Sequence, residues 1–486
     1  MSQSHSKLLL KHTLIYGTSD VLNRAFAFLL LPIYTRYLSV EHFGILQILI
    51  IITNLLEILL PLGLGSAIFK SVLHKKNPDN PLIYSTALFF ISIFTTLVFL
   101  ILILSSEMLS QIIFQSKNYS HFLNIVFLKA FFLSFTIIPL ARFRIENKSK
   151  IFGLFVCIRF FMQLVMNIFF VVILKKGVWG ILISECIVTG IFMFVCIVSI
   201  IPKLKIRISF TELKDMLEFG LPLVPAGVAM FVLTMSDRFF LKHYLNLEIV
   251  AIYSVGYRLA SVIGLVVRAF QRAWPSVMFT IAKDKDAKKI FALNFNYFLF
   301  IFFNIVLILN LFSSYLLRLA APAEYADAVN IIPLLSFAFL CYGVYYYTSA
   351  GMNIKKKTIY QPFIIGGAAL LSITFNIFLI PRIGITGASI SYFVAFLFIA
   401  FMAMVVSNLF YRIPYDYKKT AFITILFIIL NAISLVYNPV FPVYHILYKI
   451  ILLLLFNFIL FKFHYFDINQ VKRLKTELIR YFKNRG

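Results

Sequence analysis

The chain has 486 residues, 61% of them apolar and 17% aromatic, with a mean hydropathy of +0.94. That surplus excludes a soluble domain of this length and indicates an all-α polytopic membrane protein. The 45 Lys and Arg against 19 Asp and Glu give a net charge of +26 and a pI near 9.8, a bias that membrane orientation accounts for without a nucleic-acid partner.

Fourteen apolar stretches are long enough to cross a hydrocarbon core of about 30 Å. They fall at 11–33, 43–68, 81–104, 121–141, 151–174, 178–201, 217–241, 250–279, 290–317, 329–352, 359–380, 384–407, 420–437 and 443–463. The links between them are short, so helices satisfy the backbone and no appended domain is left to house catalysis. In the first span Thr13, Gly17, Asp20, Arg24 and Ala27 share one stripe, with Asp20 and Arg24 one turn apart as a charge pair. That segment is too long and too polar for a cleaved signal and is expected to stay in the mature chain. The second span carries Glu57 and a Pro61-Leu62-Gly63-Leu64-Gly65 run that bends or breaks it.

Lys129 in span four lies within snorkelling reach of the outer surface or lines a cavity; Arg159 in span five is deeper, and Glu185 in span six is a candidate counter-charge. Span seven opens on Gly220-Leu221-Pro222-Leu223-Val224-Pro225-Ala226-Gly227, a second kink, and closes on Asp237 and Arg238, read as interfacial or as a charge pair. In span eight Ser254, Arg258, Ser261, Leu265, Arg268 and Arg272 step by three and four down one face. Lys449 in span fourteen poses the same choice as Lys129. A cation at a helix centre costs roughly 2.5–3.5 kcal/mol on the insertion scale, so such groups face water, a partner or a substrate path. The lining they make suits an anion.

With the amino terminus inside, the cytoplasmic links collect most of the remaining Lys and Arg, among them Lys355-Lys356-Lys357, which sets both termini in the cytoplasm. A basic tail, 464–486, is expected on anionic inner-leaflet lipid. The four cysteines, Cys157, Cys186, Cys196 and Cys341, fall inside spans without ligand or disulfide spacing and read as packing residues. No phosphate loop, zinc spacing or nucleophile elbow is present, and Asp284-Lys285-Asp286 sits in a lysine-rich link as a solvated loop. The expectation is therefore a non-enzyme with no metal and no cofactor.

The chain also repeats itself at an offset of 207 residues. Tyr37-Leu38-Ser39-Val40-Glu41 recurs as Tyr244-Leu245-Asn246-Leu247-Glu248, and Gly177-Val178-Trp179-Gly180-Ile181-Leu182-Ile183-Ser184 as Gly384-Ile385-Thr386-Gly387-Ala388-Ser389-Ile390-Ser391. Each copy holds six spans, an even number, so both enter from the same side as a parallel repeat around a central cavity. The expected units are a six-helix bundle over 1–201, a second over 202–407, two extra helices over 408–463 and the tail.

Three segments carry a family resemblance: Leu29-Leu30-Leu31-Pro32-Ile33-Tyr34-Thr35-Arg36-Tyr37-Leu38 with Phe43-Gly44, Phe219-Gly220-Leu221-Pro222-Leu223-Val224-Pro225, and Asp237-Arg238-Phe239-Phe240-Leu241. In that order, across fourteen spans, the chain resembles the polysaccharide-exporting flippases of the multidrug/oligosaccharidyl-lipid/polysaccharide superfamily, the Wzx-type transporters of O-antigen and capsule repeat units. The resemblance implies two bundles in a V and movement of an undecaprenyl-diphosphate-linked oligosaccharide between leaflets of a bacterial cytoplasmic membrane. It further implies a polysaccharide polymerase and a chain-length regulator as partners alongside membrane lipid. Related lipid flippases use cavity arginines in spans one and eight, which correspond here to Arg24, Arg258, Arg268 and Arg272; Arg159 joins them on depth alone.

Two rival readings remain at this stage. A cation-coupled multidrug exporter of the same superfamily would bind its coupling ion at an acid in the first span, a role that Asp20 fits, with Glu57 and Glu185 left to pair with cations or carry protons, but the span-eight arginines repel cationic drugs. A polytopic glycan polymerase or glycosyltransferase calls for long outer loops rich in acids, which the chain lacks.

Overall fold

The computed structural model describes residues 30–75, 81–146, 148–205, 207–436, 442–463 and 465. The predicted first span, with Asp20 and Arg24, lies almost wholly outside the described residues, as does nearly all of the basic tail. Twelve of the described segments are long and apolar enough to cross a membrane. The longest, Tyr360–Phe410, is two spans merged across a non-helical Ile383 and Gly384. Inner and outer ends are named below as the Lys/Arg bias assigns them.

After a helical stretch at 30–37 the chain runs through α1 (Val40–Leu59), α2 (Leu64–Lys75), α3 (Pro81–Leu104), α4 (Ser106–Phe114), α5 (Ser120–Ile145), α6 (Ser149–Asn167) and α7 (Gly177–Ile200). The second half comprises α8 (Phe210–Gly220), α9 (Leu223–Tyr244), α10 (Leu247–Ile281), α11 (Ala287–Ala320), α12 (Ile332–Thr348), α13 (Ala350–Ile354) and α14 (Tyr360–Phe410). Two further spans follow, α15 (Tyr417–Val436) and α16 (Pro442–Lys462).

The sequence repeat is a structural repeat. Ser39 caps α1 by accepting from the His42 amide, and Asn246, its equivalent, caps α10 by accepting from the Ile249 amide. Gly177 and Gly384, likewise equivalent, both take positive φ, +56° and +58°, where the chain turns from one span into the next. Identical local devices at matched positions are what two copies of one unit require.

Span two is broken as its Pro-Gly run predicts: Leu62 and Gly63 have φ of +48° and +72° between α1 and α2. Span seven is likewise split into α8 and α9 around Leu221 and Pro222. The two breaks touch, and a Cβ on Gly220 would lie 2.5 Å from the Leu62 carbonyl oxygen. Span five ends in a π-helical turn, Ile168–Ile173, just past Asn167.

In the first bundle α5 packs along α7 and against α1 and α3; in the second α9 and α12 both pack along α14, and α12 also along α10. The halves meet chiefly through α1 and α10. At their outer ends Gly44 sits against the Leu247 carbonyl so closely that no Cβ fits between them. The Thr35 hydroxyl donates to Ala320 O at 2.8 Å, Arg36 to Leu319 O at 3.1 Å, and Tyr325 from the Ala323–Ile331 link stands edge-on to Phe43 with ring centroids 6.0 Å apart.

The inner end differs. One apolar core joins the outer part of the first bundle to the second bundle, whereas Leu64, Ile68, Val72, Tyr84, Ile138 and Met216 belong to a separate small core at the inner end of the first bundle. The α8 helix belongs to this small core: Lys205 N donates to Ser85 Oγ at 2.9 Å and Ser209 N to Thr86 Oγ1 at 3.0 Å ahead of it, and Met216 on it is fully buried. Among the described residues the bundles thus share one large core at the outer end, while at the inner end α8 of the second bundle packs into the small core of the first.

Spans thirteen and fourteen attach to α11 by polar rungs spaced along it. Asn457 Nδ2 donates to Asn304 Oδ1 at 2.8 Å, and Asn310 Nδ2 to Asn431 Oδ1 at 3.0 Å while Asn310 Oδ1 accepts from Ser336 at 2.7 Å. Buried amides serve this way where lipid supplies no hydrophobic drive for helices to associate. The four cysteines are free, and all but Cys157 are buried.

Candidate anion site

Spans four, five and six build a cavity of about 300 Å³ lined by Lys129, Arg159, Gln163, Glu185, Thr189 and Phe192 among others. Lys129 Nζ lies 2.5 Å from Glu185 Oε2, with side chains only 13% and 19% exposed. Of the two positions open to Lys129, the structure takes the cavity and not the membrane surface. The Arg159 guanidinium lies 5.1 Å from the Phe192 ring centre. Gln163 Nε2 donates to Ser184 Oγ at 3.2 Å, and Ser184 donates to Asn167 Oδ1 at 2.6 Å. Glu57, from α1, interacts electrostatically with Lys129, Arg159 and Glu185.

The second bundle contributes Arg258, whose charge interacts with Glu185 and Tyr34 of the first bundle and with Arg238. Arg268, ten residues further toward the inside, is half-buried and acts electrostatically on the phenols of Tyr342 and Tyr346, which share a 2.7 Å hydrogen bond. Arg272 is exposed at the inner end of the same helix. The structure therefore spreads the three span-eight arginines from mid-membrane to the inner mouth.

Asp237 and Arg238 are not interfacial. Both are 3% exposed; Arg238 Nη1 donates to Asp237 Oδ1 at 2.8 Å and to Thr234 O at 3.1 Å, and the Tyr253 hydroxyl donates to Asp237 Oδ2. The Tyr257 ring centre lies 4.1 Å from the guanidinium. Helix α10 packs over this end of α9, so a position near a span terminus does not mean exposure. The pair is hydrogen-bonded to itself and does not line the cavity, and Arg238 lies within electrostatic reach of Arg258. Asp20 and Arg24 lie outside the described residues.

Lys129 and Arg159 thus meet Glu57 and Glu185 within the first bundle, and Arg258 of the second bundle lies within electrostatic reach of Glu185, an excess of positive charge to which both bundles contribute. Sequence reading had not singled out Tyr34, Gln163, Asn167, Ser184 and Thr189. One signal for them was present: Arg159, Gln163 and Asn167 step by four along an otherwise apolar span.

The Lys129–Glu185 pair yields a first prediction. Lys129→Met strands a carboxylate and should lower unfolding free energy by about 3 kcal/mol, while adding Glu185→Gln should restore most of it. Thermal unfolding of the two single variants and the double in detergent checks this; additive losses would disprove coupling.

The fold is that of the MATE transporters of the MOP superfamily. A mutant of the Vibrio cholerae MATE transporter shares it with a TM-score of 0.60 at 14% identity, over 84% of this chain and 98% of that one. An outward-facing MATE family transporter gives 0.62 at 15% identity, over 83% and 95% of the two chains. A MOP superfamily transporter from Pyrococcus furiosus, described for the reverse polarity of its binding pocket, gives 0.60 at 16% identity, over 83% and 95%. No curated protein matches the sequence. The sequence profile of the polysaccharide biosynthesis protein family matches residues 33–330, and the chain belongs to that family. It is a multi-pass membrane protein with a transporter fold, in agreement with the polysaccharide-flippase resemblance of its motifs.

Proposed function

We propose that the protein is a flippase that carries an undecaprenyl-diphosphate-linked oligosaccharide from the inner to the outer leaflet of a bacterial cytoplasmic membrane. The observation that carries this reading is the approach of Arg258 from one bundle to the Lys129, Arg159 and Glu185 cluster of the other, cations in excess over the acids they meet. Arginine forks match diphosphate oxygens two at a time and so compensate the dehydration of the head group. The polyprenyl tail stays in lipid while the sugars occupy the hydrated space between the bundles.

The large core that the bundles share at the outer end suits a form closed to the outside, loaded from the cytoplasmic leaflet. Rocking about the α1–α10 contact would reverse the opening. With the cell interior negative, outward movement of an anion is favoured by roughly 2.3 kcal/mol per charge per 100 mV when the charge crosses the whole field uncompensated. On this reading Glu57 and Glu185 exchange a proton or cation on the return.

The rival is cation-coupled drug export, which the fold also serves in MATE transporters. Proteoliposomes separate the two. We expect a fluorescent undecaprenyl-diphosphate oligosaccharide to change leaflet faster than in protein-free vesicles, and a lipophilic cationic dye not to be moved. Dye export without lipid flipping would reverse the assignment.

A further inference from the structure

At the outer end of spans nine and fourteen, on the far side of α11 from the substrate cavity, Lys449 of α16 is only 4% exposed. Its ammonium has a serine hydroxyl, Ser314 Oγ, at 3.4 Å and the face of Tyr315 at 4.9 Å. Neither carries a negative charge. Two further basic groups surround it: Arg318, exposed in the last turn of α11, and His445, whose Nδ1 lies 3.1 Å from the Tyr315 hydroxyl, and both interact electrostatically with Lys449. Among the described residues, no carboxylate comes within ion-pair distance of Lys449 or Arg318. A buried cation without a counter-charge, beside a second permanent cation, is destabilising in a low dielectric.

The geometry points to an anionic phospholipid as the missing partner, its phosphate held between Lys449 and Arg318 in the outer leaflet and its acyl chains lying along Ile446 and Ile450. The depth fits. Lys449 stands about 10 Å along α16 from its outer start at 1.5 Å per residue, and its four-carbon stem reaches from there toward the head-group boundary. Ile446 and Ile450 flank Lys449 on one side of the same helix, and both are 40% exposed. The chemistry discriminates among lipids, because two cations with no acid favour a head group of net negative charge over a zwitterion that brings its own cation. The site belongs to spans outside the repeat and does not depend on what the cavity carries. It gives the two extra helices a role in fixing α11 against lipid at the outer surface.

Native mass spectrometry of the purified full chain, with phosphatidylglycerol and phosphatidylcholine offered in equal amounts, tests the assignment. We expect about tenfold preferential retention of phosphatidylglycerol, lost in Lys449→Met and reduced in Arg318→Gln. The latter changes an exposed side chain and leaves the helix contacts intact. Phosphatidylglycerol should also raise the unfolding temperature of the unaltered chain but not that of Lys449→Met, which without lipid should unfold no earlier than the unaltered chain. Equal retention of the two lipids, undiminished phosphatidylglycerol binding by Lys449→Met, or equal stabilisation by orthophosphate alone would overturn the inference.

Discussion

Arg258→Ala should slow flipping of an undecaprenyl-diphosphate oligosaccharide about 100-fold while leaving insertion and monodispersity unchanged. The size follows from what is removed. A charge-assisted hydrogen bond to a phosphate oxygen contributes about 1.5–3 kcal/mol, and tenfold corresponds to about 1.4 kcal/mol. Arg258 should sit near the top of that range because its charge reaches Glu185 and Tyr34 in the opposite bundle, so it acts where both bundles contact the head group. Arg258→Lys keeps the charge and loses the planar fork, and should recover part of the rate but not all of it. Arg272→Ala, exposed at the inner mouth, should cost less than tenfold and mainly weaken capture at low substrate, as a steering charge does. Rates are read from leaflet accessibility of the fluorescent lipid in proteoliposomes. Equal small losses for Arg258 and Arg272 would mean the arginines act only through net charge, without a built site.

The repeat and the breaks in spans two and seven were legible in the sequence, because each rests on local chemistry. Ser39 and Asn246 announce helix starts, Gly177 and Gly384 announce turns that require positive φ, and prolines at 61 and 222 interrupt a ladder wherever they fall. The Lys129–Glu185 pair was not legible as a pair. Its members are 56 residues apart on neighbouring helices, and many rotations of α5 and α7 satisfy the same apolar pattern. Asp237 and Arg238 were legible as a charge pair but their burial was not: closeness to a span end predicts exposure only when no other helix covers that end, and α10 covers it. The phenols of Tyr342 and Tyr346 escaped notice because tyrosine in an apolar span reads as packing until a neighbouring guanidinium is seen.

Gly44→Val should open the outer seam. Gly44 and the Leu247 backbone approach so closely that no Cβ fits, and the contact lies where α1 and α10 cross, between fully or nearly fully buried neighbours Phe43, Ile45 and Leu46 on one side and Val250, Ala251 and Tyr253 on the other. Backbone cannot retreat as a flexible side chain can, so the bundles must part or the helices shift; overpacking of this kind costs about 1–3 kcal/mol. In a two-state transporter that cost falls on the outward-closed state alone, and 1.4 kcal/mol changes the ratio of states tenfold. The reporter is a cysteine at Ala251, the repeat equivalent of Gly44 and completely buried at the seam, in a chain whose four native cysteines are replaced. Labelling by a membrane-impermeant maleimide from outside should rise at least tenfold in the Gly44→Val background, and net flipping should fall because the inner opening is visited less often. Gly44→Ala, with a single methyl, should shift labelling in the same direction by less. If the valine variant labels no faster yet flips normally, the seam does not govern outer closure, and the α1–α10 crossing would be a fixed hinge about which both states turn.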